Sequence, residues 1–229
     1  MVYRRTERVE EQLQDKRNRI LQAVRAVVGE VGFRGAQVSL VAEAADVATG
    51  TVYRHFPSKG ELFAEALALN AGHEVGVVAA VAESEGTAAM RLADAVRVFA
   101  HRALSAPRLA YAMMAEPAEP EVDAARLKYR RAFADIFERL IEDGVRSGEF
   151  PPQNARTAAA CVMGAMNEGL LGPLAPPEYR EEQRARRGVL PDSRALLDTI
   201  TAFCLQAVSA RPWAKAEMRP RLRAVEDEA

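Results

Sequence analysis

The sequence has few cysteines, no long apolar run and almost no net charge. Its two cysteines among 229 residues are too few for a disulfide scaffold or a cysteine-built zinc site. The longest nearly uncharged run, residues 75–82, is far shorter than the roughly 18 residues of a membrane helix, and no apolar signal-peptide stretch follows the N-terminal arginines. The net charge of −1 excludes a uniformly basic nucleic-acid coat, but not a local basic patch. We therefore expect a cytoplasmic protein.

Patterns typical of β-strands are also scarce. Apolar residues recur every three or four positions, which predicts an all-α fold of about nine helices. Residues 1–57 contain three short apolar stripes with connections of a few residues. Ser58 and Glu61 then have the spacing of a capping box, which starts the longer helices of a second unit, residues 58–210. A polar tail occupies residues 211–229.

Residues 38–56 have the pattern of a helix-turn-helix, with residues 46–48 as the turn. In the second helix Val52 and Phe56 point inward, and the opposite face exposes residues that can contact bases: Thr49, Gly50, Thr51, Arg54 and His55. A small helix of this kind fits the major groove of DNA, where hydroxyl groups and arginine distinguish base edges. Tyr53 and Lys59 flank the helix and suit phosphate oxygens.

The charge of this region agrees with DNA binding. Residues 1–60 contain ten Lys or Arg and seven Asp or Glu, a net charge of +3. The alternative is a helix pair that only packs inside a protein without DNA, in which Arg54 and Lys59 form a solvated face and Tyr53 and His55 are ordinary surface residues.

The segment TGTVYRHFPSKGELF, residues 49–63, resembles the recognition-helix segment of TetR-type transcriptional regulators. Its Tyr-x-x-Phe-x-Ser-Lys core is specific, and with the preceding AEAADV the resemblance covers about residues 16–63. The resemblance implies an N-terminal DNA-binding domain and a C-terminal effector-binding and dimerisation domain. The chain would then be a homodimer on a palindromic operator in double-stranded DNA, a repressor that a small-molecule effector releases, without a cofactor and without a membrane partner.

The resemblance also assigns roles to individual residues. Transferred to this sequence, the DNA-contacting positions are Gln37, Ser39, Thr49, Gly50, Thr51, Tyr53, Arg54, His55 and Lys59. Three positions depart from the family pattern. Asp46 replaces a turn glycine but tolerates a left-handed backbone better than most residues. Ala48 replaces a capping serine, at a cost of about 1 kcal/mol, and Gln37 replaces a threonine.

Two C-terminal helices are candidates for the dimer interface. Small residues four apart in the segment 155–172 allow a close approach of another backbone, and the last helix has apolar residues at helical spacing. By resemblance, the two helices pair with their copies into a four-helix interface through Ala160, Gly164, Leu196, Ile200, Phe203 and Ala207. The alternative is that both are core helices of a monomer.

The resemblance further implies an effector pocket in the C-terminal unit. Polar or soft side chains amid apolar helices are the candidate lining: His101, Tyr111, Met114, Tyr129, Phe133, Met166 and Asn167. Such a lining indicates a hydrophobic or amphipathic ligand. In the alternative interpretation His101 is a partnered histidine, and the methionines fill gaps in the core.

An enzyme and a purely structural dimer are the other classes to consider. No P-loop, nucleophile-elbow or HExxH motif occurs, and no Glu stands three residues before any of the three histidines. We therefore expect neither catalysis nor a bound metal. The positive N-terminal segment with Tyr53 and Lys59 argues against a helical dimer that has lost DNA binding.

Overall fold

The computed structural model describes residues 7–177, 179–181, 185 and 192–210. Within these residues nine helices have defined bounds, residues 177, 179–181 and 185 are also helical, and there is no strand, so the all-α prediction is confirmed. The predicted tail, residues 211–229, lies outside the described residues. The helices are α1 (Glu7–Gly35), α2 (Val38–Ala44), α3 (Thr49–His55), α4 (Lys59–Ala82), α5 (Ala88–Ser105), α6 (Pro107–Met114), α7 (Pro120–Ser147), α8 (Ala155–Leu174) and α9 (Ser193–Ser209).

Side-chain caps fix where the longer helices begin. Ser58 and Thr87 each accept a hydrogen bond from the backbone N–H three residues later, at 3.1 and 3.2 Å. Asn154 and Asp192 cap α8 and α9 in the same way, with bonds of 2.9 Å. Because the first backbone donors of a helix have no partner within it, each such cap contributes about 1 kcal/mol. The start of α4 at Ser58 is as predicted.

The N-terminal hydrophobic cluster brings together α1, α2, α3 and the first turns of α4. Ile20 and Val24 of α1 are fully buried, and Phe56, which follows α3, packs against the same cluster. The cluster also contains Ala112 of α6 and Val122 of α7. The N-terminal unit is therefore anchored on the ends of two helices that belong to the rest of the chain.

A second hydrophobic cluster is formed by the distal part of α4 together with α5, α7, α8 and α9. Leu92, Phe137 and Leu170 are fully buried in it. An exposed ion pair of 2.7 Å between Arg97 and Asp198 links α5 to α9. No helix in the described part of the chain is both long and apolar enough to cross a bilayer.

Candidate nucleic-acid interface and ligand cavity

The predicted helix-turn-helix is present, with α2 and α3 as its two helices. Asp46 in the turn has a φ of 52°, the left-handed conformation expected of it. The turn is held by the backbone bond from Val47 N–H to the Ala42 carbonyl, 2.9 Å, and by Arg19, which donates to the Ala45 carbonyl at 2.9 Å. Ala48 provides no side-chain cap for α3, as its methyl group dictates.

One face of α3 is open to solvent. Thr49, Gly50 and Arg54 are exposed, and Tyr53 keeps 49% of its surface accessible. Thr51 is half-buried, while Gln37 and Ser39 are exposed at the start of α2. A Cβ built on Gly50 would meet nothing within 4 Å. The fold itself therefore does not require glycine at this position.

The opposite face of α3 is held against α1 and α4. Val52 and Phe56 are each 1% exposed. Arg17 of α1 donates to the carbonyl of His55 at 2.8 Å, forms an ion pair with Glu65 and lies 4.3 Å above the ring of Phe56. Because these contacts converge on its C-terminal end, α3 has a fixed orientation on the protein surface.

His55 is less exposed than predicted for a residue that contacts DNA bases. The residue is half-buried, and its Nε2 atom is buried without a hydrogen-bond partner among the described residues. Burial, reinforced by the positive charges of Arg17, Arg54 and Lys16, lowers the pKa of the imidazole. His55 is therefore held neutral near pH 7, and its contact with DNA stays a prediction.

Lys59, predicted to contact phosphate, has a partner within the protein. Its Nζ lies 2.9 Å from a carboxylate oxygen of Glu119, the residue before α7, and 5.1 Å from the ring centre of Phe63. A phosphate would compete with Glu119 for this ammonium group. The contact of Lys59 with DNA also stays a prediction.

A cavity of about 310 Å³ lies between α1, α4, α5, α6, α7 and α8. Five of the predicted ligand-contacting residues line it, namely His101, Met114, Tyr129, Phe133 and Asn167. The other two predicted residues do not line this cavity. The side chain of Met166 is fully buried in the core on another face of α8, and Tyr111 packs against that core instead of lining the cavity.

Aromatic rings and arginines give the cavity two kinds of wall. Phe99 and Phe133 pack edge to face with ring centres 5.1 Å apart. Sequence reasoning missed Arg25, Arg102 and Arg130 in the lining. No sequence signal distinguishes them from solvated helix arginines, because only the packing of α1, α5 and α7 around one space brings them together.

Arg126, also in the cavity lining, joins the cavity to the end of α6. Its guanidinium donates to the carbonyls of Ala112 and Met113, at 2.7 and 3.0 Å, and to that of Glu116. Burial lowers the pKa of this guanidinium and the Asp123 carboxylate opposes the shift, but an arginine remains charged at neutral pH.

The loop after α6 in turn reaches the end of α1. The Glu116 carboxylate, 5% exposed, accepts a hydrogen bond from the Phe33 N–H at 3.1 Å and pairs with Arg108 at 3.3 Å. Gly32, with a φ of 71°, interrupts α1 beside these two side chains. The cavity wall is therefore connected through Arg126 and Glu116 to the helix that supports α3.

Four of the six predicted interface residues are exposed: Ala160 and Gly164 on α8, and Phe203 and Ala207 on α9. The other two, Leu196 and Ile200, are 8% and 6% exposed and belong to the core of one chain, so little of their surface is available to a partner. A Cβ on Gly169 would lie 3.2 Å from Ile200, so this small residue serves the packing of α8 on α9.

The two thiols differ in their surroundings. Cys161 is exposed on α8, and Cys204 is buried in α9, where burial raises its pKa to about 11. Among the described residues no group of three His, Cys, Asp or Glu side chains is placed to hold a metal ion.

Comparisons with known proteins agree with this geometry. A family model described as "bacterial regulatory proteins, tetR family" matches residues 20–66. A second family model, for a tetracyclin repressor-like C-terminal domain, matches residues 85–169. The repressor KstR of Rhodococcus jostii is 50% identical over 54 residues, and KstR of Mycobacterium tuberculosis is 47% identical over 53 residues. These matches cover 24% and 23% of this chain and only 26% and 24% of those relatives.

Solved structures share the fold over most of the chain. FadR from Bacillus subtilis, in complex with stearoyl-CoA, superposes with a TM-score of 0.67 at 20% identity, over 85% of this chain and 99% of that one. FadR from Bacillus halodurans gives 0.66 at 19% identity, over 82% and 97%. At these identities the likeness concerns the fold alone.

Proposed function

Because the chain belongs to the TetR family of bacterial regulatory proteins, we propose that it is a transcriptional repressor that binds double-stranded DNA through α3. The observation that carries the proposal is the open face of α3, with Thr49, Gly50 and Arg54 exposed while Val52 is buried beneath them. A rigid helix with such a face inserts into the major groove, where side chains distinguish base pairs by hydrogen bonding.

The contacts divide into two classes. Arg54 and Thr49 would contact base edges, and the other proposed contacts to bases or phosphates are Gln37, Ser39, Thr51, Tyr53, His55 and Lys59. A helix of seven residues makes few base contacts, so one copy discriminates weakly. A homodimer that presents two α3 helices about 34–36 Å apart would bind a palindromic operator, two half-sites of which lie on one side of the duplex.

We place the partner surface on the exposed faces of α8 and α9. Phe203, 58% exposed, is a large apolar side chain without cover in a single chain. Gly164 has open space where a Cβ would stand, which permits close helix contact. Two such faces related by a two-fold axis would bury these residues against their counterparts.

A small hydrophobic or amphipathic effector would occupy the cavity and release the DNA. Arg126 lines the cavity and holds the end of α6, and Glu116 binds the backbone of α1. An effector that favours another arrangement of these groups shifts the orientation of α1 and α3. Such coupling lowers operator affinity by typically about 1–3 kcal/mol, and operator DNA must weaken effector binding by the same amount.

DNA binding is tested by selecting fragments from a random-sequence library and measuring mobility shifts with the enriched sequence. We expect a palindromic sequence that the protein binds less tightly as the salt concentration rises. A plot of the logarithm of the binding constant against the logarithm of the salt concentration should have a slope of about −0.9 for each phosphate neutralised. Arg54→Ala is expected to lose about 1–3 kcal/mol of discrimination at one base position, while Arg139→Ala, an exposed arginine on α7, behaves as wild type. Absence of any enriched sequence would overturn the proposal.

A further inference from the structure

The cavity has an excess of positive charge at its walls. Four arginines and one carboxylate, Glu74, belong to its lining, a net charge of +3. Arg102 is neutralised by its bidentate pairing with Glu74, and Arg126 is held by the backbone carbonyls of α6. Arg25 and Arg130 are exposed at the edge of the cavity, and neither belongs to an ion pair among the described residues. These two side chains are available to an anion.

The buried residues of the cavity lining are apolar except for one amide. Leu67, Phe133 and Met163 are 1%, 7% and 6% exposed. Asn167 lies among them at 6% exposure, and it belongs to the cavity lining. A buried amide costs free energy unless it is hydrogen-bonded, and a ligand in the cavity can supply such a bond. The presence of this amide in the cavity lining indicates a ligand group that hydrogen-bonds at the inner end.

The arginine edge of the cavity includes the N-terminal unit. Arg25 lies on α1, next to Val24, which belongs to the N-terminal hydrophobic cluster. Arg130 lies on α7. A shallow groove between α1 and α6 continues from this edge and shares Arg25 and Leu109 with the cavity. An anion bound here would contact both units of the chain at once.

We propose that the cavity binds an elongated apolar carboxylate with a second polar oxygen at its far end. Arg25 and Arg130 bind the carboxylate, the aromatic and aliphatic walls bind the apolar body, and Asn167 hydrogen-bonds the distal oxygen. The proposal rests on the proposed function in taking this cavity as the effector site, and it adds the chemical class of the effector and a direct contact with α1.

The carboxylate end is tested by calorimetric titration of the full chain, without DNA, with three probes of equal chain length: dodecanoate, dodecanol and dodecyltrimethylammonium. We expect dodecanoate to bind at least about tenfold more tightly than either other probe. Arg130→Gln should remove most of this preference, while the matched control Arg131→Gln, an exposed neighbour outside the cavity lining, should keep it. Equal binding of the three probes, or no binding, overturns the proposal.

The inner end is tested with straight-chain acids from octanoate to hexadecanoate and their terminally hydroxylated counterparts. At the chain length that reaches Asn167, we expect the hydroxyl group to raise affinity about three- to tenfold in wild type and to lower it in Asn167→Leu. If no hydroxylated acid binds more tightly than its parent, Asn167 does not bind the ligand. Circular dichroism verifies that the Asn167→Leu variant is folded. If the variant does not fold, the comparison of hydroxylated and parent acids in the wild-type protein still tests the proposal.

Failure of these titrations and failure of the proposed function are distinguishable. The titrations contain no DNA, so a chain that binds an operator but no carboxylate refutes only this inference. Conversely, dodecanoate binding without any operator would leave the cavity chemistry in place and refute the DNA-binding function.

Discussion

At the scale of single residues, Gly50 is a glycine that the fold itself does not require. Glycine inside a helix destabilises it by about 0.5–1 kcal/mol relative to alanine, yet nothing within 4 Å of its Cβ position demands the absence of a side chain. On the proposed function, close approach of a DNA backbone or base would supply the reason for glycine at this position.

Gly50→Ala is therefore expected to stabilise the fold by about 0.5–1 kcal/mol and to weaken operator binding about fivefold or more through overpacking against DNA. Urea unfolding and mobility shifts measure the two effects. Gly76→Ala is the matched control, since Gly76 also lies inside a helix with open space around it. That variant should gain stability and keep its DNA affinity. Equal operator affinity for Gly50→Ala and wild type would contradict the prediction.

His55 gives the fold a dependence on pH. Its pKa in the folded chain is held below the ordinary value of 6.5 by burial and by Arg17, Arg54 and Lys16. The unfolded chain therefore takes up a proton first as pH falls, so the stability that neutral His55 contributes is present above about pH 6.5 and is lost as pH approaches the folded-state pKa.

We expect the urea midpoint to fall between about pH 7.5 and pH 5.5 in wild type. His55→Gln, which cannot titrate, should show a smaller fall over the same interval. An identical pH dependence in the two proteins would show that His55 does not contribute.

At the scale of helices, the break in α1 at Gly32 connects the two parts of the chain. A side chain there would be strained by the left-handed backbone and would overlap Arg108 and the Glu116 carboxylate. Glycine thus allows Glu116 to reach the Phe33 N–H, which otherwise would lack a partner at the break.

Gly32→Ala is expected to cost about 1–3 kcal/mol for the backbone conformation alone, since φ of 71° with ψ of 179° is occupied almost exclusively by glycine, and more through displacement of Glu116. Gly29→Ala, three residues earlier in the same helix, places its Cβ 4.0 Å from Leu109 in ordinary contact and should be neutral or stabilising by up to about 1 kcal/mol. Chemical denaturation compares the two, and similar stabilities would refute the role assigned to the break.

Local chemistry made much of the fold predictable from the sequence. The capping pattern at Ser58, the turn at Asp46 and the motif around Tyr53 each depend on a few neighbouring residues. The buried face of α9 was not predictable. Leu196 and Phe203 are both apolar, and only the packing of α9 against α5 and α8 decides which of them faces the core. Arg25, Arg102 and Arg130 of the cavity were missed for the same reason, since their proximity arises from helices distant in sequence.

At the scale of the whole molecule, the proposed homodimer would pair through the exposed faces of α8 and α9, and this pairing would allow two copies to bind one operator. Phe203→Glu places a charge where the partner helix is expected, so it should convert the dimer to a monomer and lower operator affinity. Leu127→Glu, at a residue 71% exposed on α7, is the control and should remain dimeric. Analytical ultracentrifugation measures the masses. A dimeric Phe203→Glu protein would move the interface elsewhere.

The contrast between the two thiols makes the unmodified chain ready for spectroscopy. Cys161 is exposed, whereas the buried Cys204, with its pKa of about 11, remains protonated at neutral pH, and only thiolates react with labelling reagents. A nitroxide label would therefore attach to the single chain at one position without mutagenesis. Because Cys161 lies between Ala160 and Gly164 on the exposed side of α8, the mobility of the label would report whether a second copy covers this face.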